Sequence, residues 1–282
     1  MKNTLLATVA VLCGTALAPT AAQAAEPSVL GIPCTTAADG VRTCVGDTST
    51  LVRSFDGAPI DVNVVLPPAP ASGPDGGYPM LGVYHGWGGS KASPSGSAAG
   101  RKITDWAKAG VAVFSMSDRG WGDSCGQTSQ TRVNPATAQD CLLVGYNHLL
   151  DTRYEVRDAQ TIIGRIADVE LTPGTPLIDP RRVGATGGSY GGGMSMALAA
   201  LKDRIMLPNG GYEQWVSPAG KPLSIAAAAP EIPWTDLAYS LVPTGRTLDY
   251  ANGPSYGDRV GVMKATFVTG LFATGILGSQ YA

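Results

Sequence analysis

Residues 183 to 200 read "VGATGGSYGGGMSMALAA", and within them Gly187-Gly188-Ser189-Tyr190-Gly191 is a G-x-S-x-G turn. An apolar strand precedes it and a helix-forming run follows, which is the context that gives this motif chemical meaning. A turn this tight pushes the Ser189 hydroxyl out, and the flanking glycines let backbone pass without a Cβ clash. Ser189 is therefore the candidate nucleophile for acyl transfer. A serine hydroxyl needs a nearby base, and the 282 residues contain only two histidines, His85 and His148.

The second chemical element is "VYHGWGGS", residues 83 to 90. Its glycines let a backbone N–H, that of Trp87, turn inward as an oxyanion donor. The N–H of Tyr190, the residue after the nucleophile, is the partner donor. Such a donor is worth about 10²–10³ in rate. His85 and Gly86 are expected to support this loop, with His85 as catalytic base the lesser reading. His148 precedes the nucleophile, whereas an elbow of this kind is followed by Asp or Glu and then His. Of the downstream carboxylates Glu231, Asp236, Asp249 and Asp258, the first two follow a strand end. Without a histidine to orient, neither has a role. "SDRGWGDSCG" (117–126) offers Asp118 and Arg119, which can pair and pin a loop near the pocket, and Trp121, which can line it. The structural reading, a plain Asp–Arg turn, is the stronger of the two.

These residues need a frame. Apolar strands are expected at "YPMLGVYHG", "VAVFSMSDRG", "RRVGATGG" and "PLSIAAAAPEI", the last one buried. Helical spacing appears in "AAGRKITDWAKAG" and "RYEVRDAQTIIGRIADVE", the latter with Val156, Ile162, Ile163 and Ile166 on its apolar face. Strands alternating with helices give an α/β fold with a mostly parallel sheet covered on both faces. "TLVRSFDGAPIDVNVVLP" (50–67) reads as a hairpin forming the antiparallel edge. Residues 118–152 read as one irregular stretch. "VGVMKATFVTGLFATGILG" contains Lys264 and several glycines, and reads as a packing helix rather than a membrane span.

The chain opens with Lys2, an apolar run and "AQA" at 22–24, which reads as a signal peptide cleaved near Ala24. Removing it takes the formal net charge from −2 to −3, because Lys2 is its only charge. A weakly acidic chain argues against nucleic acid or an anionic membrane as partner. Cys13 follows Leu12, so no lipid anchor is expected. Four cysteines then remain in an exported protein and should pair. "CTTAADGVRTC" brackets an Asp-Gly turn, so Cys34 pairs with Cys44, leaving Cys125 with Cys141. No histidine lies at ligand spacing and no CxxC occurs, so no metal or cofactor is expected. The sequence carries no signal for oligomeric state.

Together, the export signal, "SFDGAPIDVNVVLP", "YHGWGGS", "DRGWGDSCG", "YEVRDAQTIIGRIAD" and "GATGGSYGGGM" resemble the Xaa-Pro dipeptidyl-peptidase and cocaine-esterase-like group of α/β-hydrolases, over residues 46 to 242. The resemblance implies an α/β-hydrolase fold, a nucleophile at Ser189, and small-molecule ester, amide or dipeptidyl substrates. It also implies a helical cap starting in 246–282, after a core at 25–245. Members carry the acid after a seventh strand and the histidine after an eighth. The expectation is thus a secreted serine hydrolase, incomplete at its C-terminus, with both residues beyond 282. The competing readings are a secreted, non-catalytic binding protein with a hydrolase-like fold, and an atypical enzyme using His85.

Overall fold

The computed structural model describes residues 28–68, 77–172, 174–241 and 265–280. The expected signal peptide and Asp249, Asp258 and Lys264 lie outside them, as does the expected boundary at 245. Eight strands form one sheet: β1 (Ser28–Val29), β2 (Ile32–Thr36), β3 (Arg42–Val45), β4 (Val62–Leu66), β5 (Tyr78–Tyr84), β6 (Ala112–Met116), β7 (Ile178–Gly188) and β8 (Ile225–Glu231). Their order is β1-β2-β3-β4-β6-β5-β7-β8. The sheet is mixed. β6, β5, β7 and β8 run parallel, and the β1 to β4 side joins them antiparallel.

The antiparallel side differs from the expected hairpin. Val52–Arg53 pairs with Pro59–Ile60 in a separate small ribbon. The strand that follows, β4, lies inside the sheet with all five residues buried, so its apolar run fills both faces rather than alternating. The real edge is β1 to β3, where Cys34 faces Cys44 across the β2–β3 register and the disulfide closes the hairpin. Cys125 and Cys141 form the second expected disulfide.

Alternation within the strands sorts side chains to two faces. Val65, Val83 and Val113 point to one, which α1 (Ile103–Lys108) covers with Ile103 and Ala107. Val64, Met80, Phe114 and Ala185 belong to the larger core with α4 (Glu155–Ala167) and α5 (Tyr190–Leu201). The four expected apolar residues of α4 are fully buried. Two short helices interrupt the stretch expected to be irregular, α2 (Gln130–Val133) and α3 (Ala138–Val144).

Two corrections concern the far side. β8 was expected to be buried, but only Ile225 is; Ala226 to Glu231 are exposed, because β8 is the outermost strand among the described residues. After the short α6 (Leu237–Leu241), α7 (Ala265–Gly278) has no buried residue. It packs through one narrow face and leaves Phe267, Phe272 and Leu277 exposed. No helix among the described residues is long and apolar enough to cross a membrane.

Candidate active site

The carboxyl ends of β5 and β7 meet at Ser189. Ser189 is exposed, between the last residue of β7 and the first of α5. Its backbone takes φ +55° and ψ −113°, a region that non-glycine residues rarely enter. The Ser189 N–H donates to Glu231 O at 3.0 Å, and Ser189 O accepts from Gly193 N–H at 2.9 Å. The turn is this tight because two glycines permit it. A Cβ on Gly187 would stand 2.5 Å from Tyr84 O, and one on Gly191 would stand 2.1 Å from the same atom.

The loop after β5 lies against this turn. A Cβ on Gly86 would be 4.0 Å from Ser189 Cβ. The Trp87 and Tyr190 N–H groups donate to no protein acceptor among the described residues. Trp87 is held on three sides. Its Nε1–H donates to Leu271 O of α7 at 2.9 Å. Its ring meets Trp121 edge-on at 4.6 Å and Tyr190 at 5.3 Å. Tyr190 OH accepts from Asn147 Nδ2 at 3.1 Å, and burial raises its pKa. A cavity of about 200 Å³ borders Thr186, Gly187, Gly188 and Glu231 beside the turn. A second one of about 420 Å³, whose lining includes Asp61, Lys91, Asp123 and Gln130, does not include Ser189.

Neither histidine is hydrogen-bonded to Ser189 among the described residues. His85 Nδ1 is 2.8 Å from Gly86 O, and its Nε2 accepts the Asp118 N–H at 2.9 Å. Two such partners require a neutral ring protonated at Nδ1, and burial lowers its pKa to about 4. Its 3.7 Å approach to Asp118 Oδ2 is thus a contact, not an ion pair. His148 stacks on Tyr154 at 3.8 Å, next to Glu155. Ser189 Oγ makes no hydrogen bond among the described residues.

The "DRG" loop corrects the sequence reading. Asp118 and Arg119 do not pair. Arg119 turns to Asp158 and Asp56, donating Nε–H to Asp158 Oδ2 and Nη1–H to Asp56 Oδ2, each at 2.7 Å. Asp118, Arg119 and Trp121 are all buried. They line neither cavity, and the Trp121 ring packs edge-on against Trp87. Sequence reasoning missed Asp158 and Glu155. Their signal was present: two carboxylates three apart on α4, on the side that also carries its buried apolar residues. Glu231 and Asp236 are exposed. No group of three or more His, Cys, Asp or Glu among the described residues could hold a metal.

The family model described as acetyl xylan esterase (AXE1) matches residues 48–209, more than half of the 282 residues, including Trp87, Ser189 and Tyr190. The chain belongs to the acetyl xylan esterase (AXE1) family. Its mixed sheet flanked by helices is that of an α/β-hydrolase fold. This family, rather than the Xaa-Pro group, is where the chain's membership is established. Among solved structures, an acetyl xylan esterase from Paenibacillus sp. R4 is similar at 20% identity and TM-score 0.44, over 79% of this chain and 58% of that one. Acetyl xylan esterase 1 from Thermoanaerobacterium sp. JW/SL YS485 follows at 22% identity and TM-score 0.37, over 60% and 48%. The acylaminoacyl peptidase of Pyrococcus horikoshii gives 17% identity and TM-score 0.40, over 71% and 25%. The AXE1 family chain thus spans 58% or less of the length of these proteins.

Proposed function

We propose that this AXE1 family protein is a secreted serine esterase that removes small acyl groups, acetyl foremost, from hydroxyl-rich substrates. The observation that carries the reading is Ser189, exposed at φ +55° between β7 and α5. Ser189 Oγ attacks the ester carbonyl carbon and gives its proton to a base. The oxyanion that forms is met by the N–H groups of Trp87 and Tyr190, which hold no other acceptor. Collapse breaks the bond to the leaving alcohol, which takes the proton, and leaves an acetyl-serine. Water then repeats the steps on the acyl-enzyme and releases acetate. His85 is not that base, because both of its ring nitrogens are engaged. Two disulfides support an oxidising, extracellular setting.

The test is acetate release by the native protein from acetylated xylo-oligosaccharides, set beside cleavage of a Gly-Pro anilide. The expected result is acetate release that falls by about 10⁴-fold or more in Ser189→Ala. Cleavage of the anilide alone would move the substrate to the dipeptidyl class. Neither activity would leave the non-catalytic reading.

A further inference from the structure

Among the described residues, Asp118 is the buried carboxyl near the site that accepts no hydrogen bond. It is fully buried, and neither side-chain oxygen has a hydrogen-bond partner among the described residues. Its neighbour Arg119 is spent on Asp158 and Asp56. The groups around it are of the wrong sign or uncharged. Glu155 and Asp158 approach from α4, Tyr190 from α5, and Tyr84 and His85 from β5 and the loop after it. A carboxylate here would be an unpaired charge in the core, which costs several kcal/mol.

The backbone of the same residue performs the contact that matters for the site. The Asp118 N–H donates to His85 Nε2, and His85 Nδ1 bonds Gly86 O in the loop that carries Trp87. The side chain lies only 3.7 Å from that same Nε2. If it were ionised, it would favour a proton on Nε2. A protonated Nε2 has no lone pair left for the Asp118 N–H, and that bond would break.

The geometry points to Asp118 as a positioning residue that works as a neutral carboxylic acid, keeping His85 Nε2 an acceptor and so holding the loop of Gly86 and Trp87 against Ser189. This rests on the esterase reading for its purpose, but not for its test. Burial beside Glu155 and Asp158 raises the Asp118 pKa in the same sense.

Two measurements on the native protein decide it. The first is Asp118→Asn, a neutral isostere. An acid whose folded pKa is raised binds its proton in the folded state while the unfolded chain has lost it, so its burial weakens the fold increasingly as pH climbs above the ordinary carboxylate range. Asn removes that burden. The Tm of Asp118→Asn minus that of wild type should therefore rise steadily from about pH 4 to about pH 8. Asp158 titrates in both proteins and largely cancels. A difference that is flat or falls with pH overturns the proposal. The second measurement covers a variant that does not fold: ¹⁵N chemical shifts of His85 in wild type near neutral pH. Nδ1 protonated and Nε2 bare supports the proposal, and two protonated nitrogens overturn it. Both readouts stand even if Ser189 proves unreactive, so failure of the esterase reading and failure of this one are separable.

Discussion

Asp118 and Arg119 are adjacent in the chain and both are fully buried, yet the fold treats them in opposite ways. Arg119 makes five hydrogen bonds, to Asp158, Asp56 and Val144 O, and lies over the rings of Phe55 and Tyr154 at 5.3 and 5.5 Å. The Asp118 carboxyl has no hydrogen-bond partner among the described residues. The guanidinium keeps its charge because a rigid fork can satisfy two carboxylates at once. It ties the loop after β6 to α4 and to the Asp56 turn. The carboxylate beside it has no such partner and is accommodated by losing its charge. The pair shows two solutions to one problem, the polar group in the core. Full pairing holds the scaffold, and neutrality serves the loop next to Ser189.

The largest effect should come from breaking the paired side. Arg119→Met leaves Asp158 buried without its counter-ion, and a loss of about 3–5 kcal/mol is expected in urea unfolding at neutral pH. A loss within about 0.5 kcal/mol, the range of an ordinary surface change, would erase the contrast. The neutral side has its own signature. The folded pKa of His85 is about 4 against an ordinary 6.5, so the folded state binds fewer protons than the unfolded chain between those values. The stability His85 contributes is complete above pH 6.5 and is lost as pH falls through that window to about 4. The size is on the order of 3 kcal/mol. Unfolding of wild type against His85→Gln across this range checks it; parallel curves would show that His85 does not titrate as a neutral core residue. The smallest effect is expected for Asp56→Asn. The Asp56 side chain is 20% exposed, so water replaces part of what it gives Arg119, and about 1 kcal/mol should be lost. A loss as large as that of Arg119→Met would place the scaffold pairing at Asp56 rather than Asp158.

What could be read from sequence was local. The β2–β3 hairpin and its disulfide follow from an Asp-Gly turn between cysteines ten residues apart. The elbow follows from glycines at 187 and 191, where the backbone of Tyr84 comes too close for any side chain. The misreadings were all long-range. Asp118 and Arg119 looked like a pair because they are adjacent, but at a turn successive side chains diverge. The partners of Arg119 lie 39 residues later and 63 earlier. "IAAAAPE" has the composition of a buried strand, yet exposure depends on what lies beside it. The bond from Trp87 to Leu271 spans 184 positions, and no spacing rule reaches that far.

The esterase reading stands on Ser189 as the nucleophile. Reaction of the native protein with a fluorophosphonate, followed by peptide mapping by mass spectrometry, tests it most directly. One adduct is expected, on Ser189, and it disappears in Ser189→Ala. An adduct on another residue, or labelling undiminished in that variant, would contradict it.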